Sequence, residues 1–413
     1  MTMAYVTDTT WIEAPARDIA RSAPFVAMYA PSPNGGHAKY CHELLTALSS
    51  LDNNAGGVPL DFKLVTSCDL NPRWQSTQYG IVNILPRLKP RVEFGNTVIW
   101  AGSRATHYLR RERRFLQWLR SQDDCVGVHF QEYTPWLAPR DFRAIQRMGK
   151  AVYMTVHNIR PHLYTPGVPH SVYDNWNRSA WRACTVLFVH SGGLRDELSQ
   201  FLGTGHPPIV IVPHGVWTQP AQWTSGTHPH ANRRKRALFF GQLRSNKGVS
   251  VLLDAMQWLS DIDVTIAGDP ESPAFREEIR ARAANLPDSR VTLVDRFIEE
   301  EEIPRFFQDA DLMVLPYTSF AAQSGVLHDA IAWELPVVVT DIGALGESVR
   351  TWGNGVVVRP GDAPELAGGI RDLLEPETYR RARMATVRLQ QELSWERSAE
   401  VTLNAYRKGI PIA

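Results

Sequence analysis

The sequence predicts an α/β protein built from two doubly wound, Rossmann-like domains facing each other across a cleft. Three observations carry this. Short β-branched apolar runs alternate with helical segments through most of the chain. Runs that are apolar on both sides mark parallel strands covered by helices. The alternation stops once, at the Pro-, Gly- and His-rich stretch 218–236, and then restarts, as at a linker. Charge divides near the same place: residues 1–215 carry 22 Lys+Arg against 16 Asp+Glu, and residues 216–413 carry 22 against 27. Opposite signs suit two separate bodies, the basic one better placed to meet an anionic partner.

The elements follow in order. Residues 1–20 hold no sustained period and read as a mobile N-terminal arm. The first domain, 21–217, opens with the apolar run "PFVAMYAP", the turn "SPNGG" and the helical spacing of Tyr40, Leu44, Leu45 and Leu48. Its later strands are "AVYMTV" (151–156), "VLFV" (186–189) and "PIVIVP" (208–213). After the linker at 218–236, the second domain, 237–395, winds through "ALFFG", "DVTIAG", "VTLVDRF", "LMVLPY" and "PVVVTD", each followed by a helical segment. Residues 396–413 form a last helix, expected to pack back on the first domain. In open α/β sheets, ligands sit at the carboxyl ends of the strands, so the turns there are the places to look.

Composition narrows the classes. At 413 residues the chain suits two or three domains. The apolar fraction of 44% is ample for full cores. There is no run of eighteen apolar residues and no charged-then-apolar leader, so the expectation is a cytoplasmic protein. Cys41, Cys68, Cys125 and Cys184 form no CxxC pair, which argues against a zinc knuckle or a disulfide framework. The net charge of +1 is too small for a nucleic-acid binder.

Four turns carry candidate chemistry. In "NGGHAKY" (34–40), Gly35 and Gly36 open a helix and permit close backbone approach to a ligand. This is not a GxGxxG, so a nicotinamide site has little support. In "FFGQLRSNKGVSVLLDA" (239–255), Arg244 and Lys247 sit three residues apart between a strand and a helix. Two such cations can clamp a diphosphate, the Arg as a fork of donors and the Lys as a point charge. In "QSGVLHDAIAWEL" (323–335), Gln323, Ser324 and Gly325 introduce a helix whose free amides suit a phosphate. Asp329 lies one turn in, placed for ribose hydroxyls; the plain alternative is an acid stabilising its helix dipole by about 0.3–1 kcal/mol. In "MTVHNIRPH" (154–162), His157 follows a strand directly, and Glu132 in "VHFQEYTPW" holds the same kind of position. Either a site role or a structural one suits a histidine there.

Two motifs are decoys. "DAD" (309–311) resembles a metal-binding DxD but falls where a helix turns into the strand "LMVLP". "HPH" (228–230) lies in the linker without a further ligand. No metal is expected. The segment "RATHYLRRERRFLQWLR" (104–120) carries six Arg and one Glu, with Tyr108, Leu109, Phe115, Leu116 and Leu119 at helical spacing. Its apolar face either packs on the sheet, which is the ordinary case, or makes a peripheral contact with an anionic membrane.

Together these turns resemble glycosyltransferase family 4, the retaining nucleotide-sugar enzymes of the GT-B fold, over about residues 24–395. "NGGHAKYCHELLTAL" is similar to that family's N-terminal glycine loop, "FFGQLRSNKG" to its strand–Arg–Lys–Gly turn, and "QSGVLHDAIAWELPVVVTDIGALGE" to its donor-facing loop, helix and strand. "VTVHN" and "VPHG" recur at matching places. The resemblance implies a retaining glycosyltransferase that moves a hexose from a UDP- or GDP-sugar. The acceptor would be a hydroxyl on a glycan, a lipid-linked saccharide or a small molecule. Arg244 and Lys247 would neutralise the leaving diphosphate, helped by the amides of Ser324, Gly325 and Val326. Gly35 and Gly36 would approach from the first domain, the acceptor domain. Asp329 in the second, the donor domain, would hold the ribose, Phe297 and Ile298 would flank the base, and His157 would contact the donor sugar or its acceptor-side neighbours. The nucleotide sugar is a co-substrate, and no cofactor is implied. The family carries two glutamates eight positions apart where this chain has Ala321 and Asp329. It also carries an arginine directly after the glycine where this chain has Gln242. The alternative is therefore a non-catalytic or degenerate scaffold that binds nucleotide sugar or glycan.

Overall fold

The structure is a computed structural model that describes residues 23–52, 59–88, 97–159, 168–216, 233–286, 290–319 and 324–409. In the first domain, β1 (Phe25–Tyr29), α1 (Gly36–Asp52), β2 (Asp61–Ser67), β3 (Gly80–Leu85), α2 (Thr97–Arg120) and β4 (Cys125–Phe130) come first. They are followed by α3 (Ala138–Arg147), β5 (Ala151–Thr155), α4 (His170–Trp181), β6 (Val186–Val189), α5 (Gly192–Leu202) and β7 (Ile209–Ile211). The strands form one parallel sheet in the order β3-β2-β1-β4-β5-β6-β7. The order reverses between β1 and β4, and that break opens a crevice at their carboxyl ends.

The second domain repeats the plan with β8 (Lys235–Phe240), α6 (Val249–Ala255), β9 (Ile262–Ala267), α7 (Pro273–Ala284), β10 (Val291–Val294) and α8 (Ile303–Gln308). Then come β11 (Leu312–Leu315), α9 (Gly325–Ala332), β12 (Val337–Thr340), α10 (Gly343–Trp352), β13 (Gly355–Val358), α11 (Ala363–Leu374) and α12 (Pro376–Glu392). Its parallel order is β10-β9-β8-β11-β12-β13, with the reversal between β8 and β11. Every residue of β1, β5, β6, β11 and β12 is buried, as strands covered on both faces must be. Helix starts are written locally: Ser272 precedes Pro273 and accepts from the Phe275 amide at the head of α7, a side-chain cap with proline in the first turn.

The last helix, α13 (Trp395–Gly409), returns to the first domain and lies on α1. Trp395, Ala399, Leu403 and Tyr406 recur at helical spacing and share a core with Tyr40, Leu44 and Leu48. The Val216 amide donates to the Leu393 carbonyl (2.7 Å), and the Ser398 hydroxyl donates to that of Pro213 (2.6 Å). Contacts bridge the domains across the cleft, among them the pair of Arg73 with Glu300 and the rings of His214 and His328, 4.4 Å apart.

The arm at 1–20 and the greater part of the linker lie outside the described residues. Lys235 and Arg236, read as linker, are instead the first residues of β8. They enter the sheet because Asp311 (3.4 Å) and Asp309 (2.8 Å) compensate their charges. The face of α2 also differs from its reading. Leu109 points to solvent, while Arg111 and Glu112 turn inward beside Phe115, Leu116 and Leu119. Arg111 is held there by Glu112 (2.8 Å) and Thr134 (2.7 Å). The apolar stripe of α2 is spent on the core. Among the described residues, no helix is long and apolar enough to cross a membrane.

Candidate active site

The second domain builds its half of the site at the break between β8 and β11. Gly241 leaves β8 with φ 112°, Leu243 is buried, Arg244 is exposed, and a short turn brings Lys247 back toward the sheet. The Thr318 amide donates to the Asn246 carbonyl (2.9 Å), tying this turn to the segment after β11. The Lys247 ammonium lies 5.4 Å over the Tyr317 ring, and the Tyr317 hydroxyl is 3.1 Å from that of Ser324. A Cβ added to Gly241 would lie 3.6 Å from Lys247 Nζ and 3.4 Å from Val326 Cγ2. The cation turn and the start of α9 are therefore one place. Ser324 precedes α9 without capping it, and its hydroxyl meets Tyr317 instead, so the first amides of the helix receive no side-chain cap.

Electrostatics mark the same place. Burial, aided by the Arg244 charge, pushes the Lys247 ammonium down to about 8, with Asp329 opposing. Burial pushes the Asp329 carboxyl up to about 6; Lys39 and Lys247 hold it down, and Glu300 pushes it up. An acid and a base displaced toward neutrality in one cleft are a mark of a functional site. Phe297 is 65% exposed beyond β10, whereas Ile298 packs into the domain core. Gln323 and Ala321 lie outside the described residues.

The first domain supplies the facing half. Gly35 adopts φ +82° immediately before α1, which only glycine does without strain. A Cβ at Gly35 or Gly36 would meet nothing within 4 Å, so the space in front of this helix start is open. Behind it lies a cavity of about 430 Å³ lined by residues of three strand-end loops, among them His37, Glu132 and His157. Glu132 accepts from the Ser32 hydroxyl (2.8 Å) and lies 2.7 Å from His37 Nδ1. His157 Nε2 lies 3.1 Å from Gln131 Oε1. Behind Gln131, the buried His129 reaches Thr155 (2.8 Å) and the hydroxyl of Tyr406 on α13. The orientation of His157 thus rests on a polar chain that ends in the C-terminal helix.

The sequence reading missed the histidines around His157. Ring centroids run from His37 to His157 (4.9 Å), on to His190 (5.3 Å), His214 (5.3 Å) and then His328 (4.4 Å). Burial lowers His190 to about 4 and His328 to about 3, and it holds His157 and His214 well below the usual range. These four rings are neutral at pH 7 and line the cleft without charging it. A signal existed: "VHN", "VHS" and "VPHG" each place a histidine just beyond β5, β6 or β7, which are neighbours in the sheet.

The acidic decoy is structural. The Asp311 carboxylate accepts from Arg233 (2.9 Å), Lys235 (3.4 Å) and the Arg236 amide (2.8 Å), and Asp309 takes Arg236. These contacts anchor the amino end of β8, at the opposite end of the strands from the cleft. "HPH" lies outside the described residues.

The two wound sheets, their facing switch points and the returning helix define the GT-B fold, the class to which solved structures compare this chain. Sucrose-phosphate synthase from Thermosynechococcus elongatus aligns with a TM-score of 0.70 at 18% identity, over 93% of this chain and 98% of that one. Anabaena Alr3699/HepE, solved in complex with UDP and glucose, aligns with a TM-score of 0.68 at 15% identity, over 93% and 100%. Residues 234–376 match the family described as Glycosyl transferases group 1. Glycogen synthase of Mycobacterium tuberculosis is 30% identical over 241 residues, covering 54% of this chain and 54% of its own length. The chain thus spans about half the length of the curated relatives it matches.

Proposed function

We propose that this chain is a glycosyltransferase that moves a hexose from a UDP- or GDP-sugar to an acceptor hydroxyl, with retention at the anomeric carbon. The observation that carries the reading is the convergence of Arg244, Lys247 and the uncapped start of α9 on one point of the cleft. Charge develops there as the diphosphate leaves, and preorganised cations and amides lower the barrier by meeting it. The bond from the anomeric carbon to the diphosphate oxygen breaks and the diphosphate takes the electron pair. The acceptor oxygen bonds to that carbon, and its proton passes to the departing phosphate. This scheme needs no paired carboxylates and no metal. Asp329 holds the ribose, Phe297 flanks the base, His157 meets the donor sugar, and Gly35 and Gly36 allow the first domain to close on it. The match over 234–376 and the UDP complex of a structural neighbour support the donor class.

Titration with UDP and with GDP tests the donor site. One of them is expected to bind in the micromolar range, and slow turnover of the matching nucleotide sugar, unchanged by EDTA, is expected beside it. Binding without turnover on any acceptor supports the non-catalytic scaffold that Ala321 suggests; failure of both nucleotides removes the donor assignment.

The pH dependence of this binding follows from the two displaced groups. Lys247 is charged below about 8 and Asp329 is ionised above about 6. Affinity is expected to be highest between these values. It should fall up to tenfold per pH unit above 8, as the ammonium is lost, and to decline below 6, as the carboxylate is protonated. Calorimetry from pH 5 to 9.5 reads this directly, and constant affinity from 7 to 9.5 contradicts the Lys247 contact.

A further inference from the structure

The cavity in the first domain bears on the acceptor. It lies at the carboxyl ends of β1, β4 and β5, and the segments that follow them line it with polar groups: Ser32 and His37 after β1, Gln131 and Glu132 after β4, His157 after β5. Tyr133 and Tyr173 add aromatic wall. Burial pushes the Glu132 carboxyl up, but the hydrogen bond and electrostatic pull of His37, the Ser32 hydroxyl and the nearby Arg111 charge outweigh it, and the group sits below its usual range. It is therefore a carboxylate at neutral pH, and a carboxylate only accepts. Nδ1 of His37, 2.7 Å away, is then the donor, and the opposite ring nitrogen, Nε2, is left to meet a ligand. The His37 side chain is 44% exposed and lines the cavity, while its ring is stacked on His157. Glu132 thus fixes which edge of His37 is left for the cavity, and His157 sets its plane.

The geometry points to an uncharged, hydroxyl-rich ring, a saccharide or cyclic polyol, as the acceptor held in this cavity. A hydroxyl of that ring, able both to donate and to accept, hydrogen-bonds to His37 Nε2. The apolar face of the ring lies on the tyrosine wall, as sugar rings suit aromatic surfaces with a polar edge. Acceptors carrying phosphate or carboxylate are turned away because the donors beside Glu132, His37 and Ser32, are already taken by its carboxylate, which would face the second anion. No Lys or Arg is among the described residues that line it. This assignment rests on the proposed transferase reading for its reaction, but the binding it requires stands apart from turnover.

D-glucose, D-mannose, maltose and glucose 6-phosphate, each titrated with and without UDP or GDP and followed by saturation-transfer NMR and calorimetry, test it. At least one neutral sugar is expected to bind, and at least tenfold more tightly than glucose 6-phosphate. His37→Gln should weaken the neutral sugar at least tenfold while nucleotide affinity stays within twofold. Glu132→Gln should bring neutral and phosphorylated sugars within threefold of each other, a change of selectivity that a purely structural role would not produce. Thermal melting checks that both variants fold. The inference is overturned if glucose 6-phosphate binds as well as the neutral sugars, if no neutral sugar binds, or if His37→Gln leaves sugar affinity intact. Failure of both nucleotides beside intact sugar binding would instead remove the donor assignment and leave this one standing.

Discussion

Replacing Arg244 and Lys247 together by alanine is expected to abolish nucleotide binding while leaving the protein folded. A charge-assisted hydrogen bond to phosphate is worth about 1.5–3 kcal/mol. Losing two costs roughly 3 kcal/mol or more, at least a hundredfold in affinity. The effect on turnover should be larger, because the diphosphate gains charge as it leaves, and one preorganised donor alone is worth about 10²–10³ in rate. Folding is spared for separate reasons. Arg244 is exposed, so its removal disturbs no core. Lys247 is held at about 8, well below its unfolded range, so near pH 7 the folded state carries a charge that its surroundings disfavour. That cost is present below pH 8 and fades as pH rises from the folded value toward the unfolded one. Lys247→Met alone should therefore raise the melting temperature at pH 7, by about 2–4 °C for each kcal/mol relieved, while removing binding. A variant that binds UDP or GDP as tightly as the wild type would remove these residues from the donor site.

Gly248→Ala is expected to destabilise the second domain more than any exposed change in the same turn. Gly248 has φ +72°, and a Cβ built on it would lie 1.8 Å from the Pro316 carbonyl oxygen. That oxygen is main chain at the end of β11, so no side-chain rotation relieves the overlap. A left-handed non-glycine costs about 1–3 kcal/mol, and forcing apart packed segments about 1–3 more. The sum is a large part of a typical stability of about 5–15 kcal/mol. Differential scanning calorimetry should show the transition lowered by about 10 °C. Nucleotide binding should weaken with it, because the displaced segment carries Tyr317, on which Lys247 rests. Gly36→Ala is the contrast: its added methyl meets nothing within 4 Å. Stability should stay within about 0.5 kcal/mol, so any lost activity there reports a ligand passing close to the backbone.

Which features were legible in the sequence follows from how far apart their determinants lie. The strands, the break at 218–236 and the start of α9 at Gly325 depend on neighbours a few residues away. Arg244 and Lys247 were readable because three residues and two glycines define their turn. The face of α2 shows where this stops. Periodicity allows a broad apolar stripe, but packing on the sheet chose the edge that buries Arg111 and Glu112 and leaves Leu109 in water.

By itself the sequence determined two wound α/β domains and the cation turn aimed at a diphosphate, because apolar period, glycine position and charge spacing are local. Only the tertiary structure decided that His37 meets Glu132, 95 residues on, that Lys247 rests on Tyr317 beside Ser324, and that His214 meets His328 across the cleft. Each of these depends on strand order and on how the two domains face each other. That order is settled by the burial of whole sheet faces under helices, to which no single turn holds the key.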